Sequence, residues 1–143
     1  MLDDMVTNVY MYEFFIPGEP KGKKRPRHGK NGAVYTPNDT KEYEKAVAAA
    51  WKRKAHGEMY HGAVSVTIIA YYGIPKSASK SARKAMLMGD RIPTKKPDAD
   101  NVAKIIMDGL NGIAYDDDKQ VAELRVIKGY SGSPGVLVRV AEI

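Results

Sequence analysis

The sequence predicts an α+β fold in which one domain, residues 1–143, packs helices on a mixed β-sheet. A chain of 143 residues has the usual length of one domain. Its hydrophobic fraction of 43% is enough to bury a core. Segments with strand periodicity alternate irregularly with segments of helical periodicity, and this order is typical of a mixed sheet with helices packed on it.

The strand predictions depend on β-branched and aromatic residues bounded by turn residues. Residues 9–16 mix Val, Tyr, Phe and Ile and stop at Pro17. Residues 63–72 alternate apolar and polar side chains over the longest run, so we expect them to form the central strand. Residues 120–128 and 136–140 flank a turn rich in Gly and Pro, and we predict that they pair as a terminal hairpin.

Two helices are predicted before the most acidic part of the chain. Residues 40–54 follow Asp39, which forms a capping-box pattern with Glu42 and is the expected N-cap. A shorter helix is expected within residues 75–93, where serines are candidate caps and the helix runs through Met88.

Composition excludes several classes of protein. The chain has no cysteine, so it has neither disulfides nor thiolate zinc sites, as is usual in a reducing cytoplasm. The first ten residues are acidic and lack the apolar segment of a signal peptide. No apolar run approaches the roughly 20 residues of a membrane helix. We therefore expect a cytoplasmic protein without membrane contact, and its net charge of +6 favours a polyanionic or acidic partner.

The positive charge is concentrated in a basic arm or loop at about residues 20–31. Prolines and glycines keep this segment out of a helix, and it contains no acid. Like charges at this density repel one another unless a polyanion neutralises them, so we predict phosphate contacts; the alternative is a solubilising loop. The predicted DNA-binding residues are Lys21, Lys23, Lys24, Arg25 and Arg27.

Residues 96–121 carry the strongest chemical signal, because six aspartates cluster there in a basic protein. Taken separately, an Asp at a helix start is usually a cap, and an Asp run after a glycine is usually a solvated turn. Taken together, these carboxylates suit a hard cation such as Mg²⁺. The spacing excludes an EF-hand, because Ala103 and Gly109 occupy the Gly and Glu positions counted from Asp98.

A third helix is predicted inside this acidic stretch. Pro97 ends an extended approach, and Asp98 or Asp100 is expected to cap the helix. Lys104 lies about one turn after Asp100, away from the centre of the apolar face. The apolar face is formed by residues at three-to-four spacing, namely Val102, Ile105, Ile106, Leu110 and Ile113.

At these residues the sequence resembles the RusA-type Holliday junction resolvases. The motifs that carry the resemblance are Asp98-Ala99-Asp100-Asn101, Lys104, Asp108-Gly109-Leu110 and Asp117-Asp118-Lys119-Gln120-Val121. The resemblance implies that Asp98, Asp100 and Asp118 are catalytic and hold the metal, and that Lys104 is the essential lysine. The sequence departs from the family pattern at Asp116, an additional acid beside the expected pair.

The resemblance also implies an activity and its partners. It implies a crossover junction endodeoxyribonuclease that resolves four-way DNA junctions by paired symmetric nicks in recombination and repair. The expected cofactor is Mg²⁺, with Mn²⁺ as a possible substitute, and the expected active unit is a homodimer. The alternative from the residues alone is a non-catalytic basic DNA-binding module in which the acids only cap and turn.

Overall fold

A computed structural model describes residues 10–35 and 37–143, and its largest layer is a four-stranded sheet. In spatial order its strands are β1 (Met11–Pro17), β6 (Gly135–Glu142), β4 (Val64–Gly73) and β5 (Val121–Ser131). β2 (Arg27–His28), in the basic arm, and β3 (Val34–Tyr35), just after it, form a separate two-stranded ladder. Residues 1–9, including the predicted strand start at Val9, lie outside the described residues, as do the side chains of Arg27 and Tyr35.

The described residues also form three α-helices and one short 3₁₀ helix. These are α1 (Asn38–Ala55), α2 (Lys80–Leu87), α3 (Ala99–Leu110) and the 3₁₀ turn Asp118–Gln120. Helices on a sheet with both parallel and antiparallel pairs confirm the predicted α+β class. None of the helices in the described part of the chain is long and apolar enough to cross a membrane.

The core lies between the sheet and the pair α1 and α3. Every second residue of β4, from Val64 to Tyr72, is buried on the face toward the helices. Trp51 of α1 is fully buried, and its indole nitrogen donates to the Glu58 carbonyl at 2.9 Å. The two helices approach closely at Gly109, where a Cβ atom would lie 2.8 Å from Cβ of Val47.

The predicted terminal hairpin is wrong. In the structure β4 separates the two strands: it pairs in parallel with β5 and antiparallel with β6. β6 in turn lies between β4 and β1. The physical reason is burial: β4 and β6 have the most buried alternate positions, so they take the interior of the sheet and leave β5 at an edge. Residues 63–72 were correctly predicted as an interior strand.

One predicted helix cap also differs from the structure. α1 begins at Asn38, one residue before Asp39, and Pro37 stands at its N-cap without a side-chain cap bond. The Asp39 carboxylate instead accepts from the next amide, Thr40 N, at 3.0 Å. In α2, Ser79 does cap the helix and accepts from Ala82 N at 3.1 Å. Proline at the cap supplies an extended backbone, and its carbonyl accepts from Thr40 N and Lys41 N, but it has no side-chain acceptor. Sequence rules based on capping side chains therefore place the start of α1 too late.

Candidate active site

The first acidic pair lies at the beginning of α3. Asp98 is the N-cap residue with extended backbone angles, and its carboxylate makes no cap hydrogen bond. Asp100 lies in the first helical turn, and both side chains are exposed. The position is that of a cap, but the Asp98 carboxylate is not used as one. It therefore remains available for another ligand.

Two side chains of the sheet hold the segment that leads to Asp98. The hydroxyl of Tyr72, on β4, donates to the Pro97 carbonyl at 2.5 Å. The ammonium of Lys128, on β5, donates to the Lys95 carbonyl at 2.8 Å and lies 5.1 Å from the centre of the Tyr72 ring. The backbone just before Asp98 is thereby fixed to two neighbouring strands. This limits the orientations open to the Asp98 carboxylate.

A further carboxylate, Glu19, lies at the same end of β4. Both of its carboxylate oxygens accept from the amide of Gly73, at 2.7 and 3.0 Å. Burial, and then the charges of Asp98 and Glu19, raise the pKa of Tyr72 to about 12. The Tyr72 hydroxyl is therefore protonated at neutral pH and donates a hydrogen bond to the Pro97 carbonyl. Glu19 has no sequence signal, because it precedes the basic arm in a turn far from the acidic motif.

The basic arm is attached to α3 by backbone and side chain. Lys23 N donates to the Asn101 carbonyl at 2.9 Å. Its ammonium lies 2.6 Å from Glu44 Oε2 and 3.0 Å from Asp108 Oδ2, so it joins α1 to α3. Although burial opposes the charge, hydrogen bonds to these two carboxylates raise the pKa of Lys23. Much of its charge is therefore neutralised within the protein.

The other arm residues are more exposed. Lys24 forms an ion pair with Asp39 at the surface. Lys21 and Arg25 are exposed and have no carboxylate partner among the described residues. Arg27 begins β2, and its side chain lies outside the described structure. Lys21 and Arg25 therefore carry the charge of the arm that is open to a polyanion.

A cavity of about 530 Å³ separates the arm from the start of α3. One wall carries Lys21, Lys23 and Lys24, and the opposite wall carries Lys96 and Asp98. Gly22 lies where the arm meets this second wall, and a Cβ atom there would be 2.8 Å from Cβ of Pro97. The structure thus brings three predicted DNA-binding lysines and one predicted catalytic acid to the same cavity.

Lys104 lies near the middle of α3. Its side chain is exposed, and within the described residues no carboxylate lies at ion-pair distance from its ammonium. Asp108, one turn further on, is already paired with Lys23. The Lys104 charge is therefore directed to solvent on the same helix as the Asp98 and Asp100 pair.

Asp118 lies at the other end of α3. Its amide donates to Asn111 Oδ1 at 3.0 Å, and Asn111 directly follows the helix. Asp117, rather than Asp118, caps the 3₁₀ turn: it accepts from Lys119 N, and Gln120 closes a capping box. Asp116 pairs with His61 Nδ1 at 2.9 Å. Of the three consecutive loop acids, Asp118 is therefore the one whose carboxylate serves neither a cap nor an ion pair in the described structure.

The distance from Asp118 to Asp98 and Asp100 can be estimated in two ways, along α3 and along the sheet. Helix α3 has twelve residues, which span about 18 Å at about 1.5 Å per residue. Along the sheet, Pro97 contacts Tyr72, whereas Val121, three residues after Asp118, pairs with Val64. Those two positions on β4 are about 26 Å apart at about 3.3 Å per residue. Within one chain, the predicted metal-binding acids do not come together.

The buried tyrosines report the same separation. Burial and then the charge of Asp98 raise the pKa of Tyr72. The pKa of Tyr115 is raised well above its usual range by burial and then by the charges of Asp118, Asp108 and Asp117. Tyr115 is fully buried and donates to the Met107 carbonyl at 3.1 Å, near the end of α3. Each end of α3 thus has its own tyrosine and its own group of acids.

The donors fit Mg²⁺ in chemistry but do not form a closed cage. All three predicted ligands are carboxylates, the ligand type that Mg²⁺ prefers. In residues 10–35 and 37–143, no three His, Cys, Asp or Glu side chains converge closely enough to hold an ion. Mg²⁺ usually takes one or two protein carboxylates and completes its shell with water and substrate phosphate. Asp98 and Asp100 fit that mode, whereas Asp118 of the same chain lies at the other end of α3.

Sequence reasoning missed several residues that position this site. Tyr72, Lys128 and Asn111 hold the segments that carry Asp98 and Asp118. Tyr72 and Lys128 have the pattern of ordinary strand residues, so nothing local distinguishes them. Asn111 precedes a glycine, which indicates a turn but not a bond to an amide seven residues later.

Comparison with known proteins agrees with the acidic motif. The model of the family described as endodeoxyribonuclease RusA matches residues 17–141. That match includes the basic arm, α3 and the acidic loop. The chain belongs to the RusA family of endodeoxyribonucleases, and it is therefore a nuclease. It is also 36% identical over 136 residues to the uncharacterized protein YqaN of Bacillus subtilis (strain 168), covering 92% of this chain and 96% of that protein.

The ion pairs of Lys23 with Glu44 and Asp108 are expected to stabilise the folded protein. Replacing Lys23 with Met leaves Glu44 and Asp108 facing each other with 21% and 32% of their side chains exposed. We expect the free energy of unfolding to fall by roughly 1–2 kcal/mol, because hydrogen bonds to charged groups contribute about that much when partly buried. Urea unfolding at pH 7 measures it.

The matched control is Lys24→Met, which removes an exposed ion pair and is expected to change stability by less than about 0.5 kcal/mol. Because the pKa of Lys23 is raised, its contribution is complete below the ordinary lysine pKa and is lost as pH rises through the raised value. The difference between the two variants should therefore shrink in strong alkali. Equal stability of the two variants at pH 7 would contradict the assignment.

Proposed function

We propose that this protein is a metal-dependent, structure-specific endonuclease that resolves four-way DNA junctions by paired symmetric nicks in recombination and repair. The observation that carries the proposal is the exposed Asp98 and Asp100 pair beside a cavity lined by lysines, in a chain of the RusA family. The carboxylates supply metal ligands and the lysines supply a phosphate surface. Hydrolysis of a phosphodiester requires both.

In the proposed mechanism Asp98 and Asp100 hold a divalent cation, Mg²⁺ with Mn²⁺ as a substitute. When bound, that cation supplies an activated water and neutralises charge on the phosphoryl group. Lys104 contributes an ammonium that is not paired with any described carboxylate, so it is free to stabilise the charge that develops on the scissile phosphate. Tyr72 and Lys128 keep Asp98 in position through the Pro97 and Lys95 carbonyls.

We further propose that the active unit is a homodimer with composite sites. Asp118 is separated from Asp98 by the length of α3, and a rigid helix cannot shorten. A second copy with its α3 antiparallel brings Asp118 of the partner subunit toward Asp98 and Asp100. Two-fold symmetry then creates two equivalent sites. Two equivalent sites suit the two symmetric nicks that resolve a junction.

The arm is proposed to bind phosphates without reading sequence. Residues 21–26 have no regular secondary structure, so this segment does not place a helix or ribbon against base edges. Lys21 and Arg25 provide its unpaired charge. Lys23 and Lys24 line the cavity but are already in ion pairs, Lys23 with Glu44 and Asp108 and Lys24 with Asp39. Their contribution to DNA affinity is therefore expected to be smaller.

The first functional prediction concerns the acids. With a synthetic immobile four-way junction and Mg²⁺, we expect Asp100→Asn and Asp118→Asn each to abolish nicking, with a loss of about 100-fold or more. Asp116→Asn is the matched control from the same loop and should retain most activity, since Asp116 pairs with His61. In metal-free buffer, Asp100→Asn should bind the junction at least as tightly as the unmodified protein, because a repulsive charge has been removed.

A linear duplex of the same sequence is the substrate control. Lys104→Ala should lower nicking without tightening metal-free binding, because it retains the acids and loses a cation. If the unmodified protein binds the junction but leaves it uncut at every metal concentration, the protein is a binding module. Normal cutting by Asp100→Asn would show that the proposed site is misplaced.

The second prediction tests composite sites by subunit mixing. When inactive Asp100→Asn and Asp118→Asn proteins are mixed and allowed to exchange subunits, each mixed dimer has one doubly altered site and one intact site. Random exchange makes half of the dimers mixed, so about one quarter of all sites is intact. We expect nicking to return to about that level, with singly nicked junctions as the product.

The control mixture combines Asp98→Asn with Asp100→Asn. Both residues lie at the same end of α3, so every composite site keeps one altered residue and no activity should return. Equal inactivity of the two mixtures, despite confirmed subunit exchange, would mean that each site is built from a single chain.

The third prediction concerns the arm. Replacing Lys21 and Arg25 with Gln should weaken junction binding and reduce the slope of log affinity against log salt by about 1–2, as expected for the loss of one or two phosphate contacts. The matched control replaces Lys80 and Arg83 of α2, which are also exposed but lie outside the arm. A slope that the arm variant leaves unchanged would remove the arm from the DNA interface.

A further inference from the structure

Thr40, in the first turn of α1, carries a buried hydroxyl that the fold does not use. The residue is 2% exposed, and its hydroxyl oxygen has no hydrogen-bond partner in the described part of the chain. A buried hydroxyl without a partner destabilises the folded state, and a partner from outside the chain would remove that cost. Thr40 lines the cavity between the basic arm and the start of α3. A ligand in this cavity would therefore be the natural partner of the hydroxyl.

Asn101 of α3 contributes a second polar group to the same cavity. Its backbone carbonyl accepts from Lys23 N at 2.9 Å, but its half-buried side-chain amide has no partner among the described residues. The amide has two donor hydrogens and an acceptor oxygen, and the Thr40 hydroxyl can donate or accept. Neither side chain belongs to the proposed metal-binding or phosphate-binding set. Two helices thus present hydrogen-bonding groups to one cavity without using them in the fold.

The other lining residues define the chemical class of the ligand. Pro20, Pro97 and Ile105 supply apolar surface. Lys21 and Lys96 supply ammonium groups, and neither has a carboxylate partner within the described ranges. A bare phosphate would leave the apolar surface unused, and an apolar ligand would leave the ammonium groups unused. A nucleotide uses both, because it combines an anionic phosphate with the apolar faces and polar edge of a base.

The size of the cavity and the state of the DNA also fit a nucleotide. The volume of about 530 Å³ lies within the range of roughly 300–1,000 Å³ that is usual for small-ligand sites. In a linear duplex every base is paired and stacked, so none is available to the cavity. A base beside the crossover of a four-way junction has lost part of its stacking, and its extrusion therefore costs less free energy.

We propose that this cavity receives one nucleotide extruded from the stack at the crossover. Thr40 and Asn101 form hydrogen bonds to the edge of its base, and Lys21 and Lys96 contact its phosphate. This rests on the proposed function, because the four-way junction supplies the unstacked nucleotide. Asp98 lines the same cavity, so the extruded nucleotide lies next to the scissile phosphate. Cutting then requires a base that can leave the stack, and the two helices, rather than the arm, read that base.

Fluorescent base analogues test the extrusion. An immobile junction carries 2-aminopurine, or the fluorescent pyrimidine pyrrolocytosine, at one crossover position at a time, in metal-free buffer that prevents cutting. Stacking quenches both analogues, and none of the described residues that line the cavity is aromatic. We expect protein binding to raise the fluorescence at least threefold at one position in each cut strand. Acrylamide should quench this signal poorly, because the cavity encloses the base.

The substrate controls carry the same analogue in the middle of a junction arm and in a linear duplex of the same sequence. Neither should gain fluorescence when the protein binds. A crossover signal that acrylamide quenches freely would place the base in solvent, and it would overturn the proposal.

Thr40→Val and Asn101→Ala test the two reading residues. Each should lose most of the fluorescence rise, because Val has the shape of Thr without its hydroxyl and Ala has no amide. When the extruded position is varied among the four bases, the range of nicking rates should shrink about fivefold or more in both variants. Thr67→Val is the matched control, since Thr67 is half-buried on the face of β4 that points away from the helices. It should behave like the unmodified protein.

A thermal melt distinguishes base binding from a structural role. The Thr40 hydroxyl makes no hydrogen bond within the described structure, so Thr40→Val should leave the melting temperature unchanged or raise it. A lower melting temperature for Thr40→Val than for Thr67→Val would mean that the hydroxyl serves the fold, against the proposal. Fluorescence that changes at no crossover position, or that rises as much in Thr40→Val and Asn101→Ala as in the unmodified protein, would also overturn it.

The outcomes separate this base site from the proposed function. If a crossover base enters the cavity and Thr40→Val prevents its entry, but the unmodified protein cuts no junction with any metal, the nuclease proposal fails and the base site stands. If the unmodified protein nicks junctions but no crossover analogue gains fluorescence, the function stands and the base site is overturned.

Discussion

The packing of α3 against α1 and the sheet is the constraint on which the rest of the site depends. Val102, Ile105, Ile106 and Leu110 are almost completely buried, and Gly109 lets α1 approach to contact distance. Burying four such side chains stabilises the folded state by several kcal/mol, which is a large part of the net stability of a small domain. The helix therefore cannot rotate or slide cheaply. Its fixed length then sets how far apart the acids at its two ends must be.

Charge compensation divides the polar residues into two groups. Lys23, Glu44 and Asp108 satisfy one another between the arm and the two helices, and Asp116 and Asp117 are occupied within the loop. Asp98, Asp118 and Lys104 remain exposed without such partners among the described residues. Structural charges are paired internally, whereas the charges proposed for catalysis face outward. This division explains how one short chain carries many acids and still keeps a surface for DNA.

The proposed division of the site between the two ends of α3 would also connect assembly with activity. A single chain holds Asp98 and Asp100 but has, among the described residues, no third carboxylate within reach of the same ion. Pairing of two copies would raise the number of carboxylates at each site without any conformational change in the chain. Cutting would then be confined to the dimer, the form that can act on both strands of a junction.

The amino-acid sequence by itself determined the elements and the chemical groups. The period of β4, the apolar face of α3 and the density of lysine and arginine in the arm are local properties, and the family motif names the acids. Only the tertiary structure decided the order of strands, which overturned the terminal hairpin, and the distances between groups that are far apart in sequence. Asp98 and Asp118 illustrate the difference. They are twenty residues apart and belong to one family motif, which predicts that they share an ion, yet the buried helix α3 keeps them apart within one chain. The sequence determines which side chains occur and with what periodicity. The packing of the buried face of a helix determines where the two ends of that helix lie in space.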